Sequence, residues 1–341
     1  MSDNSKRIVA AGAIILLVAA GWVSIQLRSS ALVIYCAHDV VFAEQLINSF
    51  TKQTGMRVEA VYDSEAAKSL GLVQRLEREV GNPACNVFWN NEPLGAMSLA
   101  AKGVFEPYAS PERTRRPASF QEPRHLWTGF GVRYRVWIVN TDKMPATTEA
   151  IEQRMHSADL SRVAIAEPLY GTTLTHWSLL WNRLGPEEFK TWHRSLKERG
   201  CHFVKGNGAV RDLVAAGTCD FGMTDTDDFF GALDAKAPVA MLAIRVENQT
   251  IAIPNTVSIV KGARDPKAAR RFVDFLLSAE SDLALAKSGS RQAPVHSGIK
   301  LQDVPREIVE MLAWATDAAD LNGLTKSRDE CLAWLLKEFA P

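Results

Sequence analysis

The sequence predicts an α/β protein of two lobes, because strand-like and helix-like segments alternate along most of the chain. Apolar strand-like runs at 32–36 and 57–62 are each followed by residues with helical spacing. A second series of the same kind begins near Asn140. Such alternation is typical of parallel sheets that helices cover on both faces. Two longer β-like runs, 129–140 and 250–260, flank the second series, and we expect them to connect the lobes.

This pattern divides the chain into four predicted segments. Residues 1–30 form an N-terminal membrane anchor or signal segment, and residues 31–138 form the first part of lobe 1. Residues 139–249 form lobe 2, and residues 250–341 return to lobe 1 and end in the C-terminal helices. The strand ends of both lobes are then expected to face one ligand cleft.

The N-terminal residues predict export from the cytoplasm. Lys6 and Arg7 precede an uncharged run of 20 residues at 8–27. A helix of this length spans about 30 Å, the thickness of one hydrocarbon core. The basic residues stay in the cytoplasm, so the rest of the chain is expected on the extracytoplasmic, periplasmic side. A retained anchor in the cytoplasmic membrane is favoured, and a signal peptide cleaved at the small residues 29–31 is the alternative.

Composition excludes some classes of partner. The 341 residues are 47% hydrophobic, and Lys plus Arg and Asp plus Glu each number 39. Such a chain buries a substantial core and lacks the global basic field that holds nucleic acid. We therefore expect no nucleic-acid partner, and we expect a monomer.

Five cysteines in an exported chain allow at most two disulfides. Cys201 and Cys219 each open a strand-like run, and one helix-like segment separates them. Parallel strands joined in that way can bring their starts together, so we predict a disulfide between these two residues. Cys36, Cys85 and Cys331 are expected to be buried thiols.

Polar clusters follow three of the strand-like runs. The first contains Glu65, the second contains Asn91 and Glu92, and the third occupies residues 224–228. In open α/β sheets, ligands bind beyond the carboxyl ends of the strands, so clusters distant in sequence can line one cleft. The sequence therefore predicts a ligand-binding cleft with acidic walls.

Short strings along the chain resemble type II periplasmic solute-binding proteins of ABC importers, and within them the ferric-ion-binding branch is most similar. The resemblance extends from about residue 32 to about residue 286. It implies a Venus-flytrap fold whose lobes close on a solute and present it to a membrane permease. The strings are YCAHD at 35–39, FTKQTG at 50–55, NVFWNNE at 86–92, GVFEP at 103–107 and VNT at 139–141.

The resemblance also implies ligand positions. Ferric-binding relatives place a histidine just after the first strand, where this chain has His38 one position early and Asp39 at the expected place. They place an acid where Asn91 stands, with Glu92 next to it. Some of them supply a tyrosine at the start of the first helix of the second lobe, and Tyr170 matches that position.

The adjacent tyrosines that bind iron in those relatives are absent from this chain. Counting from Asp220 puts Asp227 and Asp228 at their position, while a two-residue shift would put Phe229 and Phe230 there. In either case the paired phenolates are missing, which puts selectivity for ferric iron in doubt. Hard cations take oxygen ligands, so Glu92, Tyr170 and these two acids, with Asp225 nearby, are the predicted metal ligands. The alternatives are that the acids neutralise an organic cation, or that they cap a helix and favour its dipole.

Two helices of the second lobe are predicted to begin near the cleft. Gly171, Thr172 and Thr173 open one of them, and Asn207 opens the other. Helix N-termini bind anions, so a phosphate, a phosphonate or a carbonate beside a metal ion fits here, although capping alone also explains these residues. The predicted ligand-binding residues are His38, Asp39, Glu65, Trp89, Asn91, Glu92, Tyr170, Gly171, Thr172, Thr173, Asn207, Asp225, Asp227, Asp228 and Asn255.

The predicted function is solute capture for an ABC importer. The predicted solute is a metal ion of the iron type, with an accompanying anion, or a metal chelate, which the protein delivers to the permease subunits. A phosphonate, a phosphorylated solute or a polyamine is the alternative ligand. An enzyme is the alternative class, because an acidic cluster can support metal-dependent hydrolysis. The chain lacks the sequence motifs of nucleophilic hydrolases, zinc proteases, P-loops and dinucleotide sites, so we expect no catalysis.

Overall fold

A computed structural model describes residues 31–63 and 70–340 of the chain. The predicted anchor or signal segment at 8–27 and the predicted ligand residue Glu65 lie outside the described residues. Among the residues that are described, none of the helices is long and apolar enough to cross a membrane.

The described chain alternates strands and helices, as the sequence predicts. Short 3₁₀ turns occur at Pro111–Arg115, Ala118–Phe120, Leu301–Asp303 and Arg306–Ile308. The strands are β1 (Leu32–Cys36), β2 (Val58–Tyr62), β3 (Val87–Asn90), β4 (Phe105–Glu106), β5 (Thr128–Asn140), β6 (Val163–Ala166), β7 (His202–Val204), β8 (Phe221–Asp225), β9 (Val239–Ala243), β10 (Arg245–Val246), β11 (Gln249–Thr250) and β12 (Ala252–Val260). The helices are α1 (Val40–Thr54), α2 (Leu70–Arg78), α3 (Pro93–Ala101), α4 (Thr148–Met155), α5 (Gly171–Leu184), α6 (Pro186–Glu198), α7 (Asn207–Ala215), α8 (Thr226–Asp234), α9 (Pro266–Leu276), α10 (Ala279–Lys287), α11 (Val309–Trp314) and α12 (Thr325–Glu338).

The sheet of the first lobe has a parallel centre. Strand β1 lies between β2 and β3, with Ile34 paired to Ala60 on one side and to Val87 on the other. Alternate residues of β1 pack on opposite faces, because side chains of a strand point alternately up and down. Ile34 belongs to the apolar cluster that contains Phe50, and Tyr35 belongs to the cluster on the other face that contains Leu99. Both faces are therefore covered, as the apolar sequence of β1 predicts.

The second lobe repeats this arrangement. Strand β6 is parallel to β7 and to β8, and β8 pairs antiparallel with the second half of β5. Two apolar clusters cover the two faces of this sheet, one around Trp177 and the other around Val210. The predicted α/β fold with two lobes is confirmed.

Strand β5 runs through both sheets. Its first half pairs antiparallel with β12 up to Tyr134, and its second half pairs with β8 and β9 from Arg135 onward. Strand β12 returns the chain beside β5, and the register shifts between Pro254 and Asn255. The two long runs predicted to connect the lobes therefore lie side by side where the sheets meet.

The C-terminal region divides between the lobes, which differs from the predicted return of 250–341 to lobe 1. Helices α9 and α10 pack on the first lobe, where Phe272 contacts Phe50 at 5.0 Å between ring centroids. Helix α12 packs mainly against α5 and α6 of the second lobe and also contacts α3 of the first lobe. Its residues Cys331 and Leu335 join the apolar cluster of Trp177, because they form an apolar stripe on one face of the helix.

The predicted disulfide between Cys201 and Cys219 is wrong. Both side chains are buried free thiols. Cys201 belongs to the apolar cluster on one face of the second sheet, and Cys219 belongs to the cluster on the other face. Strand β6 lies between β7 and β8, so the two strand starts are not adjacent as the prediction required. The two side chains also point to opposite faces of the sheet, which keeps the sulfur atoms apart.

Candidate functional site

A cavity of about 460 Å³ lies between the two lobes, next to the strands that join them. The first lobe contributes Asp39, Phe42 and Asn91, and β5 contributes Arg133. Ten of the predicted ligand residues line this cavity. They are Asp39, Asn91, Tyr170, Gly171, Thr172, Thr173, Asn207, Asp225, Asp227 and Asp228.

Three carboxylates of the second lobe converge on this cavity. Asp225 ends β8, and Asp227 and Asp228 lie in the first turn of α8. Oxygen atoms of the three side chains lie within 4.8 Å of one another. Asp225 is the residue before the helix, yet its side chain makes no capping hydrogen bond. Capping therefore does not explain why an acid stands at this position.

Asp225 instead forms a buried ion pair with Arg135. Nη1 of Arg135 lies 2.7 Å from Oδ1 of Asp225, and the side chains are 0% and 3% exposed. Thr172 and Asn207 donate to the other carboxylate oxygen over 2.5 and 3.0 Å. These bonds satisfy both oxygens and join β8 to the helices α5 and α7.

Arg133 links the acids to the first lobe. Its guanidinium lies 3.3 Å from Asp227 and donates to the backbone carbonyl of Asn91 at 3.4 Å and to Oδ1 of Asn255 at 3.3 Å. Burial lowers the pKa of Arg133, but the negative charges of Asp227 and Asp225 more than offset this and raise it overall. The guanidinium therefore stays charged beside the cavity.

Asp228 lies beside two other carboxylates. Thr224 donates to its carboxylate at 2.9 Å, and Arg211 lies 3.9 Å away. Burial, followed by repulsion from Asp227 and Asp225, raises the pKa of Asp228 to about 8. Asp228 thus holds a proton that a bound cation has to displace.

Helices α5 and α7 begin at the cavity wall. Tyr170 and Gly206 precede them, and neither provides a side-chain cap to its helix. Thr173 donates to Oδ1 of Asn207 at 3.1 Å, so the side chains at the two helix starts hold each other in place. Within the described part of the chain, the first-turn backbone N–H groups of these helices have no side-chain cap, so they suit an anion or solvent.

Glu92 lies outside the cavity lining and acts as a helix cap. Its carboxylate accepts hydrogen bonds from the backbone N–H groups of Leu94 at 2.6 Å and Gly95 at 2.7 Å. Thr175 of the second lobe donates to it at 3.1 Å. These contacts use the oxygens that a metal would need, so we leave Glu92 out of the proposed ligand set.

Three other predicted residues are buried behind the cavity wall. Nε2 of His38 lies 2.8 Å from Nε2 of Gln292, and the His38 ring packs edge-on to Trp89. Trp89 is 0% exposed and packs against Phe130. Asn255 donates to Gln292 at 2.6 Å. These side chains support the wall that carries Asp39 and Arg133.

Sequence reasoning missed the arginines that face the acids of the cavity wall. Arg133 and Arg135 stand two positions apart in the middle of the buried strand β5, and Arg211 lies in α7. Charged residues are almost never buried without a partner. Two arginines inside an apolar 13-residue strand were therefore a readable signal that acids would face them.

Two lobes around a polar cleft, joined by paired long strands, define a two-lobed solute-binding protein. The chain belongs to this class by sequence as well. Residues 32–291 match the family described as bacterial extracellular solute-binding protein.

Individual relatives are distant in sequence. The chain is 24% identical to iron uptake protein A1 of Synechocystis over 271 residues, which cover 75% of this chain and 73% of that protein. The fold is similar to that of Trichodesmium IdiA (FutA) in complex with iron and citrate, with a TM-score of 0.71, 19% identity and coverage of 91% and 99% of the two chains. It is also similar to AfuA of Actinobacillus pleuropneumoniae with bound fructose-6-phosphate, with a TM-score of 0.74, 19% identity and the same coverage.

Proposed function

We propose that this protein captures a metal ion together with an anionic ligand and delivers the complex to an ABC permease. The carboxylates of Asp227 and Asp228 on the cavity wall carry this proposal, and Asp225 lies beside them in its ion pair with Arg135. Carboxylate oxygens suit hard cations such as ferric iron, and Tyr170 at the same cavity offers a phenol oxygen. The similarity to an iron uptake protein supports the same ligand class.

The arginines are the reason for an accompanying anion. Each of the three acids has an arginine near it, at 2.7 Å for Asp225, 3.3 Å for Asp227 and 3.9 Å for Asp228. Positive charges this close oppose a bare cation, whereas they favour a complex whose metal carries a carboxylate or carbonate. In this arrangement, Asp227 and Asp228 bind the metal, and Arg133 and the two helix starts bind the anion.

A phosphorylated solute without metal is the second candidate. Arg133, Arg211 and the starts of α5 and α7 line the same cavity, and these are the groups that bind phosphate. A structurally similar protein holds fructose-6-phosphate. The two candidates differ in what they require of Asp227 and Asp228, because a phosphate is repelled by the carboxylates that a metal needs.

We propose that the protein acts on the periplasmic face of the cytoplasmic membrane. It acts there as a monomer and binds its ligand without catalysing a reaction. Membership of the extracellular solute-binding family supports the extracytoplasmic location.

The experiment that tests the function is metal analysis and mass spectrometry of protein purified natively from its host. Iron with an organic acid supports the proposal, whereas a phosphorylated solute and no metal supports the second candidate. Turnover in a phosphoester screen would contradict a pure binding role.

We expect the lobes to close on the ligand. Both lobes contribute to the cavity, and β5 and β12 lie side by side where the lobes join, so a ligand that bridges the lobes stabilises a closed state. Small-angle scattering should show a smaller radius of gyration when ferric citrate is added. A profile that stays unchanged at saturation, as shown by calorimetry of the same sample, would rule out closure.

The affinity for the metal complex should rise with pH, as expected of a site where a bound cation displaces a proton. The raised pKa of Asp228 means that the free protein carries a proton which the metal displaces. Affinity for ferric citrate should therefore rise with pH between about 5.5 and 7.5, by up to about tenfold per unit for one displaced proton. Calorimetric titration at constant ionic strength measures this slope. An affinity that falls as pH rises would favour a phosphorylated ligand, because protonated Asp228 no longer repels it.

A further inference from the structure

The second lobe carries a second cavity that shares no lining residue with the cleft. Its volume is about 880 Å³, and it lies between the helices α4, α5 and α6 and the edge strands β9 and β10. Ligand pockets of proteins measure about 300 to 1,000 Å³. The size of this cavity is therefore that of a small-molecule site.

The walls of this second cavity are apolar and aromatic. Trp137, Trp192 and Trp314 line it, together with Met241 and Leu180. All five side chains are only half-buried, so the described part of the chain does not cover them completely. Tryptophan faces and flexible methionine side chains adapt to flat, polarisable ligands.

One polar side chain lies deep in this apolar wall. His176 lines the cavity, is 1% exposed, and its Nδ1 has no hydrogen-bonding partner among the described residues. Burial, with a smaller effect from the charge of Arg135, lowers the pKa of His176 well below its usual value. A neutral imidazole offers one N–H donor and one nitrogen acceptor. A buried polar atom without a partner is uncommon, and a ligand atom in the cavity would supply one.

The rim of the cavity is acidic. Glu152, Glu188 and Glu247 line it, against one arginine, Arg245. Arg183 lies 3.5 Å from Glu247, whereas Glu152 and Glu188 form no ion pair among the described residues. This charge disfavours anionic ligands and favours neutral or cationic ones.

We propose that the second cavity binds a neutral or cationic aromatic small molecule that hydrogen-bonds to His176. The apolar walls provide the affinity, the imidazole orients the ligand, and the carboxylates at the rim exclude anions. This site is independent of the solute cleft, so its test does not depend on the identity of the transported solute.

The test uses N-phenylnaphthylamine, a neutral aromatic amine whose fluorescence rises in apolar sites. We expect saturable binding to the wild-type protein, and at least about tenfold weaker binding to Leu180→Glu, which places a charge in the wall. His176→Phe keeps the ring but removes both nitrogens, so affinity should fall by about three- to tenfold. Anilinonaphthalene sulfonate, which is the same aromatic system with a negative charge, should bind more weakly than the neutral probe.

Leu301→Glu is the matched control, because Leu301 is an apolar side chain that is 61% exposed and does not line this cavity. It should bind the neutral probe as the wild type does.

Leu184→Glu, in the same cavity wall, replaces Leu180→Glu if that variant does not fold. Equal probe binding by the wall variants and the wild type would overturn the site, and unchanged affinity in His176→Phe would overturn the role of the imidazole. A wild-type dimer that the wall variants dissociate would assign this face to a second copy instead.

Discussion

Replacing Arg135 with Met should lower the free energy of unfolding by about 3 to 5 kcal/mol. The side chain of Arg135 is fully buried and pairs with Asp225 at 2.7 Å. Without it, the carboxylate of Asp225 remains buried with only Thr172 and Asn207 as partners. An uncompensated buried charge is far more costly than a lost surface contact. Urea unfolding of the two proteins measures the difference.

An exposed arginine in a surface ion pair provides the control for the buried Arg135. It shows how much stability is lost when an arginine is replaced by Met outside the core. Arg57 and Glu59 lie 2.5 Å apart, but their side chains are 76% and 50% exposed. Arg57→Met should therefore leave stability nearly unchanged. The double variant Arg135→Met with Asp225→Asn removes both charges and should recover part of the loss. If Arg135→Met is as stable as Arg57→Met, the buried pair does not stabilise the second lobe.

The double variant Asp227→Asn with Asp228→Asn should bind ferric citrate at least about tenfold more weakly, which corresponds to about 1.4 kcal/mol. Both carboxylates line the cleft, and their oxygens lie within 4.8 Å of each other. The amides keep the shape and the hydrogen-bonding oxygens but remove the charges that attract the metal. The variant should still fold but should unfold at a lower temperature, because Asp227→Asn removes the carboxylate that pairs with the buried Arg133. Calorimetric titration and thermal unfolding of the same samples measure both properties.

A second pair of acids in the same kind of position provides the control. Glu187 and Glu188 stand in the first turn of α6, outside the cleft. Replacing both with Gln removes the same charge from the second lobe and should leave the affinity for ferric citrate unchanged. Full affinity in the Asp227 and Asp228 variant would contradict the metal site. Tighter binding of a phosphorylated solute by that variant would support the second candidate.

The sequence was sufficient to predict most of the fold because the strands of this protein carry a strong periodic signal. The run at 32–36 is apolar on both faces, which is typical of a strand covered on both sides, and β1 occupies these residues. The long runs that were expected to join the lobes correspond to β5 and β12. The destination of α12 was not predictable, because an apolar stripe on a helix does not specify which lobe it covers.

Ten predicted ligand residues line the cleft because strand ends and helix starts meet at one edge of a sheet. The predicted ligand residues that do not line the cleft show that the position of a strand end does not fix the direction of the side chain. Glu92 follows β3 as expected, but its carboxylate turns toward its own helix and accepts from Leu94 and Gly95. The direction of a side chain depends on its neighbours in space, and the sequence does not contain them.

The sequence by itself determined the α/β alternation, the extracellular solute-binding family and the acids at the end of β8. The alternation and the acids are local patterns, and the family is indicated by short strings of residues spread along the chain. Only the tertiary structure decided that Arg133 and Arg135 face those acids, because β5 and β8 are neighbours in the sheet but are far apart in sequence. Because of this contact, the positive charges of the arginines nearly balance the negative charges of the acidic cluster. Electrostatic interactions act through space, so the charge that a ligand meets is a property of the fold.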